Sequence, residues 1–195
     1  MNKGDSALVV VVGSLAAVAK ADGVSLAESF VGADAIVIVD CSASMGDHDG
    51  GSGKTRYERA LEEIGRLQAD LPGKVAVIAF SSDVQFCPGG CPPFLCQNTD
   101  LAKALRFAKV ADVAGMKFVV VSDGCPDDCD EAMRVGRGYK AHISTVFVGP
   151  EDDHEEGRAF LAKLAAASGG AADVAHLAHE LAVKTERLLL NQGGA

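Results

Sequence analysis

Five oxygen-bearing side chains stand where they could act together: Asp40, Ser42 and Ser44 at a spacing of two, then Thr99, then Asp123. Asp40 closes a short apolar, β-branched run, AIVIVD, and Asp123 follows a second one, KFVVVS. In an extended segment residues two apart point the same way, so the three oxygens at the end of the first run could converge on one point. Carboxylates and hydroxyls are hard ligands, and hard oxygens gathered in one place suit a divalent cation such as Mg²⁺. Each part alone also fits a plainer role, because acids and serines commonly end strands and cap helices.

The hydrophobic pattern supplies the elements that must position these residues. Residues 35–40, 74–80, 117–122 and 142–148 are short runs rich in Val, Ile and Phe, which read as buried strands. Residues 84–86 and 172–174 could add short edge strands. Thr55 and Glu58 have capping-box spacing, and Tyr57, Ala60, Leu61, Ile64, Leu67 and Leu71 recur at helical intervals until Pro72-Gly73. Thr99 is expected to cap a helix over 101–110, and the acids after Pro126 suit the positive end of a helix over 126–135. Further helices are expected over 6–21, 155–167 and 177–190, with only a short segment joining the first of them to the strand at 35. Strands alternating with helices imply an α/β fold: a doubly wound, mainly parallel sheet with helices on both faces. Ligands of such sheets bind at the carboxyl ends of the strands where strand order reverses, and Asp40 and Asp123 lie at two such ends.

At 195 residues, with no repeat, linker or second core, the chain reads as one domain, and a net charge of −9 disfavours nucleic acid as a partner. Met1-Asn2-Lys3 followed by an apolar run and Ala17-Val18-Ala19 has the look of a secretory signal, but Asp5 and Gly13 interrupt it. The run is too short to span a membrane. Residues 1–33 are therefore expected to form a helical extension packed on the domain of residues 34–190, with 191–195 as a tail. The expected compartment is the cytoplasm, or outside it if residues 1–19 act as a signal peptide.

Four other signals compete for attention. Gly51-Ser52-Gly53-Lys54-Thr55 resembles the end of a phosphate-binding loop, but His48 stands at the first glycine position and Asp47 and Asp49 would repel phosphate, so no nucleotide is expected. Cys87, Cys91 and Cys96, like Cys125 and Cys129, lack the paired spacing of zinc or iron–sulfur sites and read as thiols, or as disulfides in an exported protein. His176 and His179 share a helical face without a third ligand nearby, and the acids at 127, 128, 130 and 131 read as helix-end and solvating charge.

Taken in order and on these elements, Asp40-x-Ser42-x-Ser44, Thr99 and Asp123 resemble the von Willebrand factor type A (vWA) domain and its metal-ion-dependent adhesion site. The resemblance runs over roughly residues 35–190 and includes Phe80-Ser81-Ser82, Ser122-Asp123-Gly124 and Val148-Gly149-Pro150. It implies a Rossmann-like vWA fold in which Ser42, Ser44 and Thr99 offer hydroxyls to Mg²⁺, with Mn²⁺ or Ca²⁺ as alternatives. Asp40 and Asp123 would sit close by, bonded to metal-bound water or to the serines. One coordination position would stay open for an Asp or Glu of a protein partner, which makes the implied function metal-dependent protein binding rather than turnover. The family also occurs as a non-catalytic subunit or adaptor of larger machines, such as ATPase assemblies. A hydrolase reading is weaker, since no histidine accompanies Ser42, Cys41 or Cys125 at a strand end.

Overall fold

The structure is a computed structural model that describes residues 9–48, 53–149 and 155–175. The apolar runs form strands with nearly the expected bounds: β1 (Ala35–Asp40), β2 (Val75–Phe80), β4 (Lys117–Ser122) and β5 (Ile143–Val148). The edge strands are β3 (Val84–Phe86) and β6 (Ala172–Ala175). They make one six-stranded sheet in the order β3-β2-β1-β4-β5-β6, parallel throughout except that β3 runs antiparallel to β2. The doubly wound α/β architecture follows from this order. Strand order reverses between β1 and β4, where Val39 lies opposite Val121, so the next residues of both strands meet at the switch point.

Both faces of the central strands are buried, as a parallel sheet requires. One face sends Ile36, Ile38, Ile78, Phe118 and Val120 into a core shared with Leu101 and Leu105 of α4 (Leu101–Ala108), Ala132 of α5 (Cys129–Gly136) and Leu161 and Leu164 of α6 (Glu155–Ser168). The other sends Val37, Val39, Val77 and Val121 against Ala60, Ile64 and Leu67 of α3 (Arg56–Asp70). The capping box opens α3 as expected: the Thr55 hydroxyl accepts from Glu58 N, and the Glu58 carboxylate accepts from Thr55 N. The Gly-rich residues just before α3 lie partly outside the described residues; of the phosphate-loop look-alike, Lys54 pairs with Glu62 of α3.

Three local expectations need correction. The amino-terminal helix α1 is Leu15–Asp22, capped by Ser14, and residues 9–13 precede it as non-helical chain in which Val10 pairs with Gly90. Gly13 explains the late start: it has φ +79°, and a Cβ there would lie 1.9 Å from the carbonyl oxygen of Gln68. The segment before β1 contains a second short helix, α2 (Leu26–Val31), whose Ser25–Glu28 capping box is complete and whose Phe30 ring meets Phe86 of β3 edge-on. Finally, Asp100, not Thr99, caps α4, its carboxylate accepting from Lys103 N at 2.9 Å. A carboxylate at the positive end of a helix has the advantage over a neighbouring hydroxyl. The start of the helix expected over 6–21 and the whole of that over 177–190, with His176 and His179, fall outside the described residues.

Candidate metal centre

Where β1 runs out, the backbone stays extended at Ser42 and then turns through a short 3₁₀ segment, Ala43–Gly46. The Asp40 side chain controls the exit: its Oδ1 accepts from Ser42 N at 2.9 Å and its Oδ2 from the Ser122 hydroxyl at 2.6 Å. β1 and β4 are thus tied by side chains just past the last backbone pair. The turn brings Ser42 Oγ to 3.3 Å from Ser44 Oγ, and Ser44 Oγ donates to Asp123 Oδ1 at 2.8 Å. Asp40, Ser42 and Asp123 are buried and Ser44 is half-buried. Four of the five sequence-selected residues therefore form one connected hydroxyl–carboxylate cluster across the switch point.

Thr99 reaches this neighbourhood by its backbone. Leu95 N and Cys96 N donate to Cys41 O, and Ala43 N donates to Gln97 O, which lays the segment before Thr99 along the β1 exit. At Thr99 the chain turns to the other arm: Asp127 N donates to Thr99 O at 2.9 Å and Thr99 N to Asp127 Oδ1 at 3.3 Å. Among the described residues no hydrogen bond joins the Thr99 hydroxyl to the other four. Asp127, read from sequence as solvating charge, is a clamp between the Thr99 segment and the loop after Asp123. That loop is set by a close approach, since a Cβ on Gly157 of α6 would fall 2.6 Å from the backbone carbon of Gly124.

Sequence reading missed Arg56. It is the first residue of α3, its side chain is 5% exposed, and its Nη1 donates to Asp123 Oδ2 at 3.0 Å. Its guanidinium carbon lies 3.8 Å from where a Cβ on Gly149 would sit, so it is lodged between the ends of β4 and β5. One signal for it was present: a cation in the first turn of a helix is opposed by the helix dipole, so it needs a tertiary partner.

The electrostatics follow from burial. Removal from water pushes the Asp40 carboxyl up to about 6; bonds from Ser122 and Ser42 oppose that rise, and the charge of Asp123 adds to it. All six cysteines are free thiols. Burial pushes the Cys87 thiol up to about 11 and also raises Cys41, beside Asp40, so neither is an activated nucleophile. Cys129 is raised too, by burial and by the neighbouring Cys125.

The donor set fits a hard divalent ion. Cis oxygens on an octahedral Mg²⁺ at about 2.05 Å lie ~2.9 Å apart, and on Ca²⁺ at about 2.4 Å they lie ~3.4 Å apart. The 3.3 Å between the two serine hydroxyls is within a small adjustment of either. Among the described residues no three His, Cys, Asp or Glu side chains gather into a group that could hold a metal ion.

The mostly parallel sheet flanked by helices is shared with solved vWA domains. No family model and no curated protein sequence matches the chain. Among solved structures, an aerotolerance-related membrane protein from Bacteroides fragilis NCTC 9343 is similar at 17% identity and a TM-score of 0.66, over 82% of this chain and 100% of that one. A von Willebrand factor type A protein from Catenulispora acidiphila is similar at 17% identity and TM-score 0.60, over 82% of this chain and 42% of that one. The manganese-loaded TRAP protein of Plasmodium vivax is similar at 14% identity and TM-score 0.55, over 80% of this chain and 73% of that one. At these identities the likeness concerns the fold: the chain has the Rossmann-like vWA fold.

Proposed function

We propose that this protein is a binding module that docks a protein partner through a divalent cation, Mg²⁺ by preference, with Mn²⁺ or Ca²⁺ as substitutes. Ser42, Ser44 and Thr99 would hold the ion by their hydroxyls, and Asp40 and Asp123 would balance its charge from behind. The observation that carries the reading is the connected run Ser42–Ser44–Asp123 at the switch point, with Asp40 locked beneath it. The manganese-loaded state of the similar Plasmodium vivax structure supports it.

When bound, the cation supplies a Lewis acid for an Asp or Glu carboxylate of the partner. The chain's own residues do the rest. Ser44 directs its proton to Asp123, which leaves its oxygen lone pairs turned away from that carboxylate. Asp40 is held by Ser42 N and Ser122, and these two bonds fix the course of the β1 exit. Neutral hydroxyl ligands leave a cation more electrophilic than carboxylate ligands would, which favours capture of an acidic side chain from another protein. The Cys41 thiol is fully buried and burial disfavours its deprotonation, so it is a poor nucleophile. No described helix is long and apolar enough to cross a membrane.

The test is an affinity pull-down in Mg²⁺ against EDTA, with Asp40→Ala bait as control. A protein retained only by intact bait with Mg²⁺ is the expected result, and an ATPase assembly among the retained proteins would mark the chain as an adaptor subunit. Equal retention in EDTA would overturn metal dependence.

A further inference from the structure

A buried arginine inside a cluster built for a divalent cation is unexpected on electrostatic grounds. Arg56 sits at the positive end of α3, where a cation is disfavoured, and its backbone N–H is anchored on Asp47 O at 2.9 Å. Its side chain is buried, as is the carboxylate it meets. Burying a guanidinium is costly unless a charge meets it, and Asp123 supplies one. Arg56 sets a fixed positive charge against one of the cluster's two carboxylates before any ion arrives.

Resting on the metal reading above, we infer that Arg56 is a built-in counter-cation: it holds Asp123 in place when the site has no ion, and it weakens divalent-cation binding so that firm occupancy requires a partner's carboxylate. The physical steps are short. Asp123 Oδ1 takes the Ser44 proton and Oδ2 takes the Arg56 N–H, so Asp123 is shared between the hydroxyl arm and a fixed positive charge. A divalent ion at Ser42 and Ser44 would feel Asp123 with part of its charge already answered, and would feel repulsion from the guanidinium behind it. A partner's carboxylate adds the negative charge that the cluster lacks. Partner and ion then bind together more tightly than either alone, a reciprocal coupling between two ligands. Arg56 in this scheme is a positioning residue; it touches neither ion nor partner.

The test compares wild type with Arg56→Gln and Arg56→Lys, each titrated with Mg²⁺ by calorimetry and melted in EDTA and in 10 mM Mg²⁺. Arg56→Gln is expected to bind Mg²⁺ at least tenfold more tightly than wild type, to melt lower than wild type in EDTA, and to recover most of that loss in Mg²⁺. Arg56→Lys, which keeps the charge, is expected within about threefold of wild-type affinity; it is the variant that decides if Arg56→Gln does not fold. Wild type that binds Mg²⁺ while Arg56→Gln binds it no better would overturn the inference and leave the metal reading standing. A Lys variant that gains tenfold would also overturn it, because charge would not be what holds the ion off. Failure of all three proteins to bind Mg²⁺ would overturn the metal reading and the inference with it.

Discussion

The two strand ends that meet at the switch point each present one buried carboxylate, and different kinds of donor hold them. At the end of β1, Asp40 is held by neutral groups, the Ser42 amide and the Ser122 hydroxyl. At the end of β4, Asp123 is held by a neutral hydroxyl on one oxygen and a guanidinium on the other. Asp40 accordingly carries the desolvation cost of its charge with only dipoles to offset it, which is why its carboxyl is pushed up to about 6. The β4 end is compensated by charge and the β1 end by geometry. One arm therefore orders the loop that carries the serines, while the other brings a fixed positive charge into the cluster.

The largest effect is expected from breaking the charged arm. Asp123→Ala removes the carboxylate that meets the buried Arg56 guanidinium, and losing one partner of a buried pair costs about 3–5 kcal/mol; urea denaturation in EDTA checks it. A loss below about 1 kcal/mol would erase the contrast between the arms. Next comes the neutral arm: Ser122→Ala removes the donor to Asp40 Oδ2, and a hydrogen bond to a charged group is worth about 1.5–3 kcal/mol.

Asp40→Asn sharpens the comparison by pH. The folded carboxyl of Asp40 is raised to about 6, above its ordinary value of 3.8, so the folded chain keeps a proton that the unfolded chain has lost. In EDTA the wild type therefore loses stability as pH rises between those values, and the Asn variant, which has no proton to lose at this site, does not. Chemical denaturation of both proteins at pH 4, 5, 6 and 7 is expected to show the Asn variant gaining on the wild type across that range and holding its gain above it. Parallel curves would mean that Asp40 is not desolvated. The smallest effect is expected at Asp127→Ala, an exposed clamp on the Thr99 segment: about 0.5–1 kcal/mol of stability, with a several-fold loss of Mg²⁺ affinity by calorimetry if Thr99 is a ligand.

Much of the frame could be read from residue order. Four β-branched runs became the four central strands within a residue or two, because apolar runs of that length have few other places to go. The Thr55–Glu58 box opened α3 at the expected residue, since a capping box is a local device. α2 escaped because six residues are too few to show helical periodicity, although Ser25 and Glu28 had the right spacing. The choice between Thr99 and Asp100 as a cap turned on one residue, at the scale where helix ends are least legible. Arg56 was missed for a different reason, its one signal being faint. An arginine in the first turn of an amphipathic helix looks like a solvated charge until the fold delivers a carboxylate from the end of another strand, 67 positions away.

The most direct test of the account is Mg²⁺ titration of the wild type against Ser42→Ala/Ser44→Ala by calorimetry, with melting curves to confirm that both are folded. The account expects saturable binding to the wild type, strengthened by an added acidic peptide, and none to the double variant. Equal binding to both proteins would contradict it.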